Sequence, residues 1–174
     1  PKSLLNTIYS RCQVINIPAL SISDLNDWLI SKGVTDVNAT DFPSFISPLK
    51  IINDLENNSH LFFKEFIKII SNYLLNKSDI NSTMKLIMSL DESLVMKLNY
   101  LIEFLKIILK SKLLSENLSG IYSSFNNSTF NNLKISNIIN DLNNLRYDYF
   151  KVPQINETHV LNYFLSEVKN SIKI

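Results

Sequence analysis

The sequence predicts an all-α protein in three parts. A single helix-strand element covers residues 1–19, a compact unit of three small helices covers 20–57, and a bundle of longer helices covers 58–174. Three observations lead there. Apolar residues recur at intervals of three and four along most of the chain, the spacing of a one-sided helix. Only Gln13-Val14-Ile15-Asn16-Ile17 alternates with β-branched residues, and Pro18 stops it, with no second strand to be found later. Helix breakers fall close together before residue 57, and the apolar runs lengthen from Ser59 onward.

Residues 3–10 read as a helix end, followed by the strand at 13–17. A lone strand leaves its own donors and acceptors unpaired, so this one is expected to belong to a larger sheet domain. After Pro18, Ser21-Ile22-Ser23-Asp24 supplies capping hydroxyls and an early acid; Leu25, Trp28 and Leu29 then keep helical spacing until Gly33. Asp41 is expected to open a second short helix carrying Phe42, Phe45 and Ile46. Pro48 opens a third, whose apolar face would be Leu49, Ile52 and Leu55.

In the bundle the first long helix would bury Leu61, Phe62, Phe66, Ile69, Ile70 and Tyr73, with Lys64, Glu65 and Lys68 outward. Asn81-Ser82 introduces Met84, Leu86, Ile87 and Leu90, and Asp91 is expected to cap the helix over 94–114. Lys97, Asn99, Glu103, Lys106 and Lys110 interrupt that stretch, so it is no membrane span. It reads as the central helix of a bundle, with a narrow wet stripe. Residues 115–130 read as a Ser- and Asn-rich loop. Leu133, Ile138, Leu142 and Leu145 would face inward from a helix over 131–150. Asn156 then caps a last helix, where Ile155 staples onto Val160 and Leu161, Phe164, Leu165 and Val168 follow.

Composition removes several function classes. The net charge is +1, too balanced for a protein that coats nucleic acid or a membrane by bulk charge. One cysteine allows neither an internal disulfide nor a multi-cysteine zinc site, and suits a reducing compartment. The two glycines, Gly33 and Gly120, cannot write a phosphate loop or a dinucleotide turn. No signal peptide follows Pro1-Lys2-Ser3, and a start without Met suggests a processed or excised piece.

Single residues carry little chemistry of their own. His60 and His159 lack companions at ligand spacing, and Cys12 has no base beside it, which favours packing. Tyr147 and Tyr149 flank Asp148 near Arg146 and read as a solvated helix edge. Arg11 is different. It is one of two arginines in a lysine-rich chain and sits at a helix-strand junction. Its planar, permanently charged fork matches phosphate or carboxylate.

The segment Leu5-Asn6-Thr7-Ile8-Tyr9-Ser10-Arg11-Cys12-Gln13 resembles the Ser-Arg-Cys motif of AAA+ clamp-loader subunits, with Tyr9 where that family often has arginine. A Pro-terminated strand, a small helical lid and a long helical region follow in the family's order. Val152-Pro153-Gln154-Ile155-Asn156 with Leu161 and Leu165 is similar to the family's final collar helix. Ile46-Ser47-Pro48-Leu49-Lys50 stands where ATP-binding members carry a lid sensor arginine, and has none. The combination looks most like the delta-prime type of bacterial DNA polymerase III.

The resemblance implies a C-terminal fragment holding the AAA+ tail at 1–19, the lid at 20–57 and the collar at 58–174. It implies a non-catalytic stator, cytoplasmic, with no cofactor of its own. Arg11 would act as a trans arginine finger on ATP held by a neighbouring subunit, supported by Ser10 and Cys12. Such a finger is worth roughly 10³–10⁵ in rate when preorganised. The implied partners are gamma/tau and delta subunits in a hetero-pentamer, and through the complex the sliding clamp and primed DNA. A gamma/tau-type motor subunit and a helical interaction domain unrelated to replication stay open as alternatives.

Overall fold

The computed structural model describes residues 21–57, 60–151 and 155–173. The expected helix end at 3–10, the strand at 13–17 and the motif Ser10-Arg11-Cys12 lie outside the described residues. Within them the chain is mostly helical, in two units with separate apolar cores.

The small unit comprises α1 (Ile22–Ser31), a one-turn 3-10 helix (Ala39–Asp41) and α2 (Pro48–Glu56). Ser21 caps α1 through a reciprocal box with Asp24, as the local pattern predicts. Gly33, at φ 78°, ends it in the left-handed region that glycine enters freely. Leu29, Phe42 and Ile51 are the buried centre, with Leu25, Trp28, Val34 and Leu55 packed around them.

Two expectations are corrected here. Asp41 closes the 3-10 turn and opens no helix; Phe42 is extended. The cause is Asn38, which caps the turn together with Asp41 and uses up the local donors. On α2 the inward face is Ile51 with Leu55, while Leu49 is 80% and Ile52 36% exposed. Leu49, Ile51, Ile52 and Leu55 occur within seven positions, so spacing alone fits either phase.

The bundle contains α3 (His60–Leu74), α4 (Ile80–Ser89), α5 (Leu94–Leu114), α6 (Asn132–Asp148) and α7 (Glu157–Lys169). A 3-10 helix (Gly120–Phe125) follows α5, and another (Tyr149–Lys151) follows α6. Phe66, Ile70, Leu98, Leu101, Phe104, Leu105, Leu142, Leu161 and Leu165 are buried in one core. At about 1.5–3 kcal/mol for each large apolar side chain removed from water, this core is the main stabilising term.

The α3 stripe matches expectation at Phe66, Ile69, Ile70 and Tyr73, with Lys64, Glu65 and Lys68 outward, and differs at its first turns. Phe63 and Ile67 are buried and Leu61 is half exposed, because Leu61-Phe62-Phe63 offers three starting phases. Ser93, not Asp91, caps α5 by accepting the Met96 N–H. Asp79 caps α4 by accepting the N–H groups of Asn81 and Ser82.

The expected wet stripe of α5 is wet only in its second half. Lys106 and Lys110 are exposed, but Lys97 and Glu103 are buried at 2% and 4% exposure. Leu133 faces solvent, and Ile135 takes its place inside. The stretch 115–130 is ordered and partly core, with Leu118, Tyr122 and Phe125 buried. A short antiparallel ladder also exists, contrary to the expectation of no later strand. In it β1 (Thr129–Phe130) pairs with β2 (Ile172–Lys173), in the register Thr129 to Lys173. The final helix matches expectation: Asn156 accepts the His159 N–H, and Leu161, Phe164, Leu165 and Val168 are inside.

Candidate functional site

The most organised polar cluster lies where the small unit meets the bundle. It is built on the turn at 38–44. Asn38 Oδ1 accepts from the N–H and hydroxyl of Thr40 at 3.1 and 3.2 Å, and Asp41 Oδ2 accepts the Asn38 N–H at 3.1 Å. The Ala39 N–H donates to Asn26 Oδ1 of α1 at 2.7 Å. The turn is therefore fixed to its own unit before it touches the bundle.

On the bundle side, α3 and α5 each supply one charged side chain. Lys64 Nζ donates to Asp41 Oδ2 at 3.1 Å, and Glu103 Oε1 accepts the Ser44 N–H at 3.0 Å. Phe42 lies against the His60 ring, with centroids 5.5 Å apart. Thr40 presses on Gly120, which has φ 57°. A Cβ at that position would collide with the Thr40 hydroxyl, so close approach and backbone conformation both require glycine there. Asp41 and Glu103 are 5% and 4% exposed. A buried carboxylate persists only with compensating donors, and each of these has them.

Tyr122 lies in the same region. Burial pushes its hydroxyl pKa well above the ordinary phenol value, and the negative charges of Glu103 and Asp41 push it further. Its hydroxyl has no hydrogen-bond partner among the described residues. An open cleft of about 430 Å³ follows the same seam, lined by Val34, Asp36, Val37, Leu55, His60 and Lys64 among others. The cluster joins two units. It holds charge in place and presents no converging metal set; among the described residues no group of three or more His, Cys, Asp or Glu is so arranged.

Ser10, Arg11 and Cys12 lie outside the described residues. His60 offers Nδ1 toward the Asp54 carbonyl oxygen at 3.3 Å and serves as a packing ring. His159 is exposed in the first turn of α7. Arg146 donates to Asn99 Oδ1 at 2.7 Å and to Asn143 Oδ1 at 3.1 Å, tying α6 to α5. Tyr147 points outward under the Lys151 ammonium, 4.1 Å from its ring centre, while Tyr149 packs toward the core, so only Tyr147 lies on the solvated edge expected of both. In the stretch 46–50, Ile46 packs on the small core, Pro48 starts α2 and Lys50 is exposed.

Sequence reading missed the joint. Two signals were there: the Asn38…Asp41 spacing of a capping box, and one acid, Glu103, set among Leu101, Ile102, Phe104 and Leu105. No protein-family model, no curated protein and no solved structure matches this chain. Among the described residues no helix is long and apolar enough to cross a membrane.

Proposed function

We propose that this chain is the lid and collar region of a delta-prime-type clamp-loader subunit, a stator that supplies Arg11 to a neighbour's ATP site. The observation that carries this reading is chain order. Ser10-Arg11-Cys12 stands directly ahead of a small, separately cored helical unit, and a larger helical bundle follows it. A stator must hold its units in fixed relation, and the paired charges at the joint act in that direction. The bundle would be the assembly module, side by side with gamma/tau and delta subunits; ATP, clamp and primed DNA would be engaged through the complex.

The test uses the full-length subunit reconstituted with motor and delta subunits. Arg11→Ala should leave assembly intact while lowering DNA- and clamp-stimulated ATP hydrolysis by roughly 10³-fold at the site it serves. Unchanged hydrolysis removes the finger role. Failure of residues 58–174 to support assembly favours a helical interaction domain of another kind.

A further inference from the structure

A second cleft, of about 190 Å³, lies between α6 and α7 on residues that take no part in the joint. A short connection returns the chain, and the two helices pack antiparallel. The Asn131 N–H donates to the Ser171 carbonyl oxygen at 2.9 Å, and Lys134 Nζ lies 3.2 Å from Glu167 Oε2. Both contacts join the start of α6 to the end of α7. One turn along the cleft come Ile138, Phe164 and Tyr163. Asp141 follows on α6, roughly 10 Å from Lys134 along the helix axis.

The lining divides by chemistry. Ile138 and Phe164 form an apolar floor at 5% and 6% exposure. Tyr163 is 60% exposed and meets Phe164 in a T-shaped contact with centroids 5.2 Å apart. Lys134 and Glu167 satisfy each other at one end. At the other, Asp141 has no hydrogen bond or ion pair among the described residues, nor has the side chain of Asn137 one turn before it. The cleft therefore carries one uncompensated negative charge, beside a free amide oxygen, an exposed ring and an apolar floor.

Each of these parts answers to part of an alkylammonium ion. The Asp141 carboxylate and the Asn137 amide oxygen accept from an –NH₃⁺ group, the Tyr163 ring attracts its charge, and the floor covers its chain. An anion would meet the free carboxylate, and the cation in the lining is already engaged. A bare metal ion would find too few oxygens. The volume is below the roughly 300–1,000 Å³ of sites for drug-sized ligands, which leaves room for one short chain. We propose that this cleft binds a primary ammonium group on a short alkyl chain, either a free amine or a lysine side chain of another protein. The inference does not depend on the clamp-loader reading.

Nuclear magnetic resonance titration of the ¹⁵N-labelled 174-residue chain with n-butylammonium chloride, at constant ionic strength, tests it. Amide shifts should centre on Asn137, Ile138, Asp141 and Phe164 and saturate with a Kd in the millimolar range, in keeping with a ligand of about five non-hydrogen atoms. 1-Butanol, which has the chain without the charge, should bind at least about tenfold more weakly. Asp141→Asn should weaken butylammonium binding about tenfold and Tyr163→Leu about threefold, while Asp27→Asn on α1 should change nothing. Nα-acetyl-lysine methylamide supports the site by either of two results: the same shifts assign it to a protein side chain, and exclusion with butylammonium binding retained assigns it to a free amine. A titration that does not saturate, shifts spread over exposed carboxylates at large, or an affinity indifferent to Asp141→Asn overturns the proposal. Far-UV circular dichroism of each variant confirms that these surface changes leave the fold intact.

Discussion

Lys97 and Glu157 show how much a single buried charge depends on its partner. Lys97 Nζ lies 2.8 Å from Glu157 Oε1, with the lysine side chain 3% and the carboxylate 27% exposed. The pair links α5 to the first turn of α7, where a carboxylate also suits the positive end of the helix. Removing only Glu157 leaves an uncompensated ammonium inside, so Glu157→Ala should cost about 3–5 kcal/mol in urea unfolding. Lys97→Met removes the buried charge and keeps the volume, leaving a partly solvated carboxylate behind. It should cost much less, and the double variant Lys97→Met/Glu157→Gln should come close to wild type. Equal losses for the two single variants would mean that the pair is not buried as described. Glu103 belongs to the same class of residue: its carboxylate is inside because Ser44 supplies a donor there.

Helix ends decide the behaviour of the individual elements in acid. Asp79, which caps α4, is held below the usual carboxylate range by the Ser82 hydroxyl and then by the Ser82 N–H, and burial opposes this only weakly. A group whose folded pKa is depressed stabilises the fold above its unfolded value, about 3.9 for aspartate, and that contribution fades as pH falls through the lower folded value. The stability gap between wild type and Asp79→Ala should therefore be constant near neutral pH and shrink below about pH 4. Asp79→Asn keeps an acceptor that does not titrate, so it should lack the acid-dependent part. A gap independent of pH down to pH 2 would contradict this account of the cap. Asp24, lowered by Ser21 in the α1 box, should act in the same sense.

For the whole molecule, the joint determines whether the two cores behave as one. Trp28, the single tryptophan, packs on the small core, while most helical signal comes from the bundle. With Asp41–Lys64, Ser44–Glu103 and the Thr40–Gly120 contact in place, tryptophan fluorescence and far-UV circular dichroism should report the same urea midpoint. Glu103→Ala leaves the Ser44 N–H without its acceptor, a loss of about 1–3 kcal/mol that falls on the seam. Fluorescence should then change at lower urea than the helical signal. Coincident midpoints in that variant would show that apolar packing alone couples the units. A stator with a separable lid would transmit position poorly, so this measurement also bears on the proposed role.

The sequence by itself determined where the described α-helices lie and how several of them begin. Ser21 with Asp24, Pro48 at the start of α2, and Asn156 with the His159 N–H are read from neighbours within three residues, and such local signals need nothing else from the fold. Tertiary structure decided which way ambiguous helices turn and which charges go inside. Ile51 faces in and Leu49 out because α1 and Phe42 lie on one side of α2 only. Glu103 and Lys97 interrupt an apolar run and so read as wet, yet their partners Ser44 and Glu157 stand 59 and 60 positions away in the chain. The β1–β2 ladder likewise joins segments that are too short to signal a strand and meet only after α6 and α7 have packed. Burial of a lone polar group is settled by a partner that the chain must first fold to reach, and helix periodicity carries no record of that partner.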